Sequence, residues 1–189
     1  MSSAGPTSKT TYVAFLRGIN VGGNKPIRMA DLQKAFESLR FTNVKTVLAS
    51  GNVLFDAPPA QPAALTAAIE KKLKQAFGTE IPVLVRTLKE LQQLAESEPF
   101  RGVEVTPQTR LYVTFLTENL TSKLKIPYAS PGQGFRIPRV TPNEVCSVVI
   151  LSPQHGTLDL MGFLEKEFGK RITTRNWNTV MRLLKAEES

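Results

Sequence analysis

The sequence predicts an α+β chain built from two βαββαβ-type halves. Three observations carry this reading. Strand-like and helix-like apolar patterns follow one another as β-α-β-β-α-β over the first half. The pentapeptide Tyr12-Val13-Ala14-Phe15-Leu16 returns as Tyr112-Val113-Thr114-Phe115-Leu116. The length, 189 residues, suits two compact units of roughly 80–100 residues each.

Each element has its own signal. Residues 11–17 are apolar on both alternating faces, the pattern of a central strand covered on two sides. A Gly- and Asn-rich loop over 18–26 leads to a helix with Leu32, Ala35, Phe36 and Leu39 on one stripe. Residues 44–49 and 53–55 read as a hairpin around Ser50-Gly51-Asn52. Leu65, Ile69, Leu73, Ala76 and Phe77 line a second helix that Gly78 stops. A fourth strand over 81–86 completes a ferredoxin-like unit. Thr87, with Glu90 three residues on, predicts a capped connecting helix over 87–97.

After the repeated pentapeptide the same order is expected again. A short helical stretch over 120–125 precedes strands over 135–139 and 145–151. A helix over 158–168 stops at Gly169, and 171–173 is a last short strand. Thr174 is a suitable N-cap for a final helix from about Arg175, whose apolar stripe is Trp177, Val180, Met181 and Leu184. The expected organisation is thus a tandem duplication of two ferredoxin-like units with a linker helix and a C-terminal helix. Its boundaries are an unstructured tail over 1–9, a first unit over 10–86, a linker helix and loop over 87–108, a second unit over 109–174 and the helix over 175–189.

Composition narrows the function classes. Hydrophobic residues make up 41% and charged residues 21%, an ordinary globular balance. No apolar run approaches the roughly 20 residues of a membrane span, and residues 1–10 lack the apolar core of a secretory signal. Cys146 is the single cysteine, which excludes an internal disulfide or a Cys-based zinc site and suits a reducing cytoplasm. His155 is the only histidine, and no metal-ligand spacing occurs, so no cofactor or metal is expected. The net charge is +8. Residues 1–30 carry four cations and no acid, residues 170–186 carry five and no acid, and 31–169 is nearly neutral. Such localised positive charge attracts anions or nucleic acid more strongly than a diffuse excess, although it also serves solubility.

Three motifs stand out. Arg17-Gly18-Ile19-Asn20-Val21-Gly22-Gly23-Asn24-Lys25 follows a strand and precedes a helix, where backbone amides can cradle a phosphate. It misses the phosphate-loop pattern, because Asn24 stands at the lysine position and no Ser or Thr follows Lys25. A tight crossover is the plainer reading of its glycines. Ser50-Gly51-Asn52 suits a turn first and a ligand second. Thr173-Thr174-Arg175-Asn176-Trp177-Asn178-Thr179 is the densest polar cluster, with Arg175 as its best ligand candidate. Trp177 lies on the helix's apolar stripe and is better read as an anchor than as a stacking ring.

Taken together, Leu16-Arg17-Gly18-Ile19-Asn20-Val21-Gly22-Gly23, Ser50-Gly51-Asn52-Val53 and Thr174-Arg175-Asn176-Trp177-Asn178-Thr179 resemble the uncharacterised, mainly bacterial family called domain of unknown function 1697. The resemblance spans roughly residues 11–186. It implies two tandem ferredoxin-like units and no particular activity. Family members often carry a Gly-Arg-Ser-Lys-type stretch where this chain has Gln154-His155-Gly156-Thr157-Leu158-Asp159, so a basic residue is missing there.

The leading expectation is non-catalytic binding of a phosphate-bearing ligand, RNA or a nucleotide-like metabolite. Arg17, Lys25 and Arg175 would neutralise phosphate, Gly22 and Gly23 would offer amides, and Asn20, Asn176 and Asn178 would orient the ligand, with Ser50 and Asn52 at the adjoining turn. The alternatives are a metal-independent enzyme acting on a small anion, and a structural or interaction module. Exposed sheet aromatics of the RNA-binding type are not apparent.

Overall fold

The computed structural model describes residues 8–21, 26–117, 122–152 and 159–187. They form a mixed α+β structure with five α-helices and two antiparallel sheets. The chain divides into two compact units, Met1–Gln93 with Arg182–Ser189, and Leu94–Met181. Among the described residues no helix is long and apolar enough to cross a membrane.

The first unit begins with β1 (Thr10–Leu16), α1 (Met29–Glu37), β2 (Thr42–Val47), β3 (Asn52–Ala57), α2 (Pro62–Phe77) and β4 (Val83–Thr87). Its sheet order is β2-β3-β1-β4, so β1 is central, as its two-sided apolar pattern predicts. Tyr12, Ala14 and Leu16 face a core completed by Leu32 and Phe36 of α1 and by Leu65, Ile69 and Leu73 of α2. Phe55 lies at the centre of the aromatic packing. Its ring stacks on Phe41 at 4.5 Å and on Tyr12 at 5.6 Å, and meets Phe36 edge-on at 5.5 Å. Each such buried ring contributes about 2–3 kcal/mol of burial. On the other face of β1, Val13 and Phe15 are also buried. Pro62 starts α2, and Gly78 ends it with a φ of +73°, accepted without strain because glycine has no Cβ.

The connecting helix α3 (Leu88–Glu96) is capped as its sequence predicts. Glu90 accepts from the Thr87 amide at 2.7 Å and hydroxyl at 2.8 Å, and the Glu90 amide donates to Thr87 Oγ1 at 3.2 Å.

The second unit contains β5 (Thr109–Leu116), β6 (Tyr128–Ala129), a 3-10 turn at Pro131–Gln133, β7 (Phe135–Val140), β8 (Glu144–Ile150), α4 (Leu160–Phe168) and β9 (Ile172–Asn176). A final helix, α5, spans Trp177–Glu187. The sheet order is β6-β7-β8-β5-β9. Leu116, Phe135, Ile137, Val145 and Val149 build its core with Leu160, Leu164 and Phe168 of α4.

The repeated pentapeptides hold the same register. Tyr12 to Leu16 pair with Thr87 to Val83, and Tyr112 to Leu116 pair with Asn176 to Ile172. Beyond the strands, Leu16 donates to Gly51 at 2.8 Å and Leu116 to Asn143 at 2.9 Å. The outer pairing of each set shifts register, between Thr42 and Lys45 in one and between Arg136 and Arg139 in the other.

Two expectations are corrected. The described part of the expected helix over 120–125 is not helical, and the chain instead runs through Pro127 into the edge strand β6. Proline restrains the residue before it from helical geometry. The final helix starts later than expected. Thr174 and Arg175 lie on β9, and Asn176 rather than Thr174 provides the first cap, its Oδ1 accepting from the Asn178 amide at 2.9 Å. Thr174 Oγ1 instead meets Thr114 Oγ1 at 2.8 Å, a cross-strand hydroxyl pair.

Candidate functional site

The first two motifs meet in the first unit. β1 delivers Arg17 and Gly18 at the sheet end, where Gly18 has a φ of +71° and Asn20 a φ of +56°. The β2–β3 connection over 48–51 arrives beside them. Asn20 joins the two: its Nδ2 donates to Ala49 O at 2.9 Å and to Ile27 O at 3.1 Å, while its Oδ1 accepts from the Ile27 amide at 2.7 Å. One side chain therefore closes its own loop and pins that loop to the turn. Asparagine suits the position because it tolerates the left-handed backbone and offers two donors and an acceptor.

The turn is tightly fitted. Gly51 has a φ of +83°, and a Cβ there would stand 2.7 Å from Ile19 Cδ1 and 2.9 Å from Leu16 Cβ. Asn52 is buried and opens β3 rather than belonging to the turn, and its Nδ2 donates to Val47 O at 2.8 Å and Ser50 Oγ at 3.1 Å. Ser50 itself is exposed and Arg17 is half-buried. Gly22, Gly23 and Lys25 lie outside the described residues.

The third motif lies in the second unit. Arg175 on β9 pairs with Val113, and its Nη1 donates to Thr174 O at 3.0 Å. Burial pulls its pKa down to about 10, which leaves the guanidinium protonated at neutral pH. Asn176 spends its Oδ1 on the α5 cap, Asn178 is exposed, and Trp177 packs edge-on against Phe100 at 5.4 Å. The anchor reading of Trp177 therefore fits better than the stacking one.

Register exposes a residue that the sequence reading passed over. Arg86 on β4 pairs with Val13 as Arg175 pairs with Val113, and its Nη1 donates to Val85 O at 3.1 Å. Each arginine sits two residues before a helix, and the repeated Tyr-Val dipeptide opposite them was the available signal.

Catalytic groups are sparse in what is described. Cys146 is buried, and burial pushes its thiol up to about 12, far from a reactive thiolate. Among the described residues no cluster of three His, Cys, Asp or Glu could hold a metal. His155 falls outside them.

Residues 9–130 match the model of a family described as a protein of unknown function, DUF1697. The chain belongs to this family. The match includes the loop and turn motifs and ends before Arg175. No curated protein matches the chain. Among solved structures it is similar to a conserved bacterial protein from Streptococcus pneumoniae, with a TM-score of 0.71 and 20% identity, covering 94% of this chain and 98% of the other. That likeness concerns the fold. The stretch where family members often carry a basic residue lies mostly outside the described residues, but Asp159 at its end caps α4 by accepting from the Gly162 amide at 2.8 Å.

Proposed function

We propose that this family member binds a phosphate-bearing ligand, RNA or a nucleotide-like metabolite, at the joined loop and turn of its first unit, without catalysing a reaction. The observation that carries the reading is the Asn20 bridge. It holds the start of the Gly-rich loop against the Ser50 turn before any ligand arrives. Pre-organisation of this kind lowers the ordering cost of binding. Arg17 supplies charge at the same end of the sheet as the exposed Ser50, and in this reading Lys25 and the amides of Gly22 and Gly23, which lie outside the described residues, add the remaining anion ligands. Asn20 and Asn52 act as braces, because their amide donors are engaged within the loop and turn. Arg175, Asn176 and Asn178 form a second cationic end in the other unit.

The same reading includes the architecture. The shared register and the two sheet orders support a tandem duplication of a ferredoxin-like unit, with the first at 10–86 and the second at 109–174. A reducing cytoplasm suits the single buried thiol.

A second reading, a structural or interaction module, draws on the engagement of Asn20 and Asn52 with their own backbone. Titration of the protein with inorganic phosphate, nucleotides and an RNA pool at low and moderate salt separates the two. Binding should weaken steeply with salt and fall at least tenfold in Arg17→Ala and Lys25→Ala. Absence of binding at low salt, or affinity indifferent to both substitutions, favours the module.

A further inference from the structure

We infer that the second unit holds a binding site for a small organic anion, a carboxylate or phosphate group on a compact apolar body, with Arg136 as its anion ligand. The inference goes beyond the loop-and-turn site, since every residue it uses lies in the other unit.

Strand register puts the parts of this site on one face. Arg136 pairs with Val148 and Arg139 with Cys146, and Ile150 lies two residues beyond Val148. Side chains two apart on a strand point the same way, so Arg139, Arg136 and Ile150 follow one another along one row. The irregular register between Arg136 and Arg139 brings these two residues, three apart in sequence, onto the same face. Phe135, Ile137 and Val149 occupy the opposite face, in the core with α4.

An open depression of about 570 Å³ lies on the row, lined by Arg136, Ile150, Gln133 and Gly132. Small-molecule sites typically measure about 300–1,000 Å³. Its rim is braced. Gln133 N donates to Ser130 O at 2.8 Å, Ser130 N to Phe135 O at 2.9 Å, and Phe135 N to Ser130 Oγ at 3.0 Å. Ile150 N donates to Gly134 O at 2.9 Å and ties this turn to the end of β8. The Gln133 carboxamide is therefore carried by a fixed turn beside Arg136, which lowers the ordering cost of binding.

Arg136 has charge to offer. It is exposed, and among the described residues its side chain makes no ion pair, whereas Arg28, Lys74, Arg86 and Arg101 have carboxylate partners. Its neighbours across the ladder are Ala129 and Val148. Glu144 stands at the far end of the row, and Arg139, which donates to Ser97 Oγ at 2.7 Å, lies between it and Arg136. A guanidinium presents a planar fork of donors that matches a carboxylate or a phosphate. Gln133 adds an amide donor, and Ile150 adds an apolar wall that an organic ligand would cover. Edge protection does not account for the arginine, because β6 already covers β7 at this point. A solubility charge would account for Arg136 but not for the depression or its braced rim.

The test is heteronuclear NMR of the full chain, titrated at constant ionic strength with benzoate, with phenyl phosphate and with neutral benzyl alcohol. Saturable shifts are expected at the Gln133 and Ile150 amides and at Arg136 Nε with at least one of the two acids, and the tighter one names the oxyanion. Arg136→Ala should weaken that binding about tenfold or more, and Gln133→Ala about threefold. Arg136→Lys keeps the charge but not the fork, and should weaken it about threefold. The loop-and-turn site is read on its own signals, those of Arg17 and Ser50, so either site can fail without the other. Absence of saturable shifts at Gln133 and Ile150, the same shifts with benzyl alcohol, or wild-type affinity in Arg136→Ala overturns the inference.

Discussion

The Asn20 side-chain amide lies 2.9 Å from the carbonyl oxygen of Ala49, a hydrogen bond that ties the start of the β1–α1 loop to the β2–β3 turn. With its two bonds to Ile27, the side chain makes three hydrogen bonds. Asn20→Ala should cost about 4–5 kcal/mol, the sum of about 1 kcal/mol per bond and about 1–2 kcal/mol for the left-handed backbone. Asn20→Asp keeps an acceptor for the Ile27 amide but loses both donors, and should also destabilise. Urea unfolding of the two variants checks this.

Gly51 and Gly78 separate two reasons for glycine. Both have positive φ, but a Cβ at Gly51 would strike Ile19 and Leu16, whereas none of the surrounding atoms lies within 4 Å of a Cβ at Gly78. Gly78→Ala should cost about 1–2 kcal/mol from backbone strain alone. Gly51→Ala should cost about 2–5 kcal/mol, because overpacking adds to the strain. Thermal melts of the two proteins should differ in that order.

Ser147 pairs with Tyr112, the register position at which Phe55 pairs with Tyr12. Its hydroxyl is buried and has no hydrogen-bond partner among the described residues. Ser147→Ala removes an unmet polar group and should leave stability unchanged or raise it by up to about 1 kcal/mol. Chemical denaturation measures the change.

Cys146 should resist thiol reagents. Its folded-state pKa, raised to about 12, lies above the ordinary thiol value, so folding favours the neutral thiol. The associated stability is present below the ordinary thiol range and is lost as pH climbs toward 12. At pH 8 the native protein should react far more slowly than the urea-unfolded chain. A Cys146→Ala protein should lack that alkaline loss. Labelling followed by mass spectrometry, and melts across alkaline pH, test both statements.

Much of the fold was legible in local pattern. The two-sided apolar run at Tyr12–Leu16 marked a central strand, Gly78 marked a helix end, and Thr87 with Glu90 marked a capping box, because each depends on neighbours within a few residues. The expected helix near Leu124 failed because edge pairing with β7 and Pro127 outweigh a weak local helical tendency. The start of α5 was misplaced because Thr174 is a good cap by identity, but pairing with Thr114 holds it in a strand. The candidate site was legible as residue types only. Asn20 and Asn52 were read as ligand groups, and the fold engages their amides as braces.

By itself, the sequence determined the α+β class, the order of most elements, the repeated pentapeptide and the location of charge along the chain. Those properties follow from periodicity, turn chemistry and composition, which act over short distances. Only the tertiary structure decided that Asn20 reaches Ala49 and that Arg86 and Arg175 occupy the same register opposite Val13 and Val113. Strand pairing and loop closure join residues far apart in the chain, and local preferences contain no information about those partners.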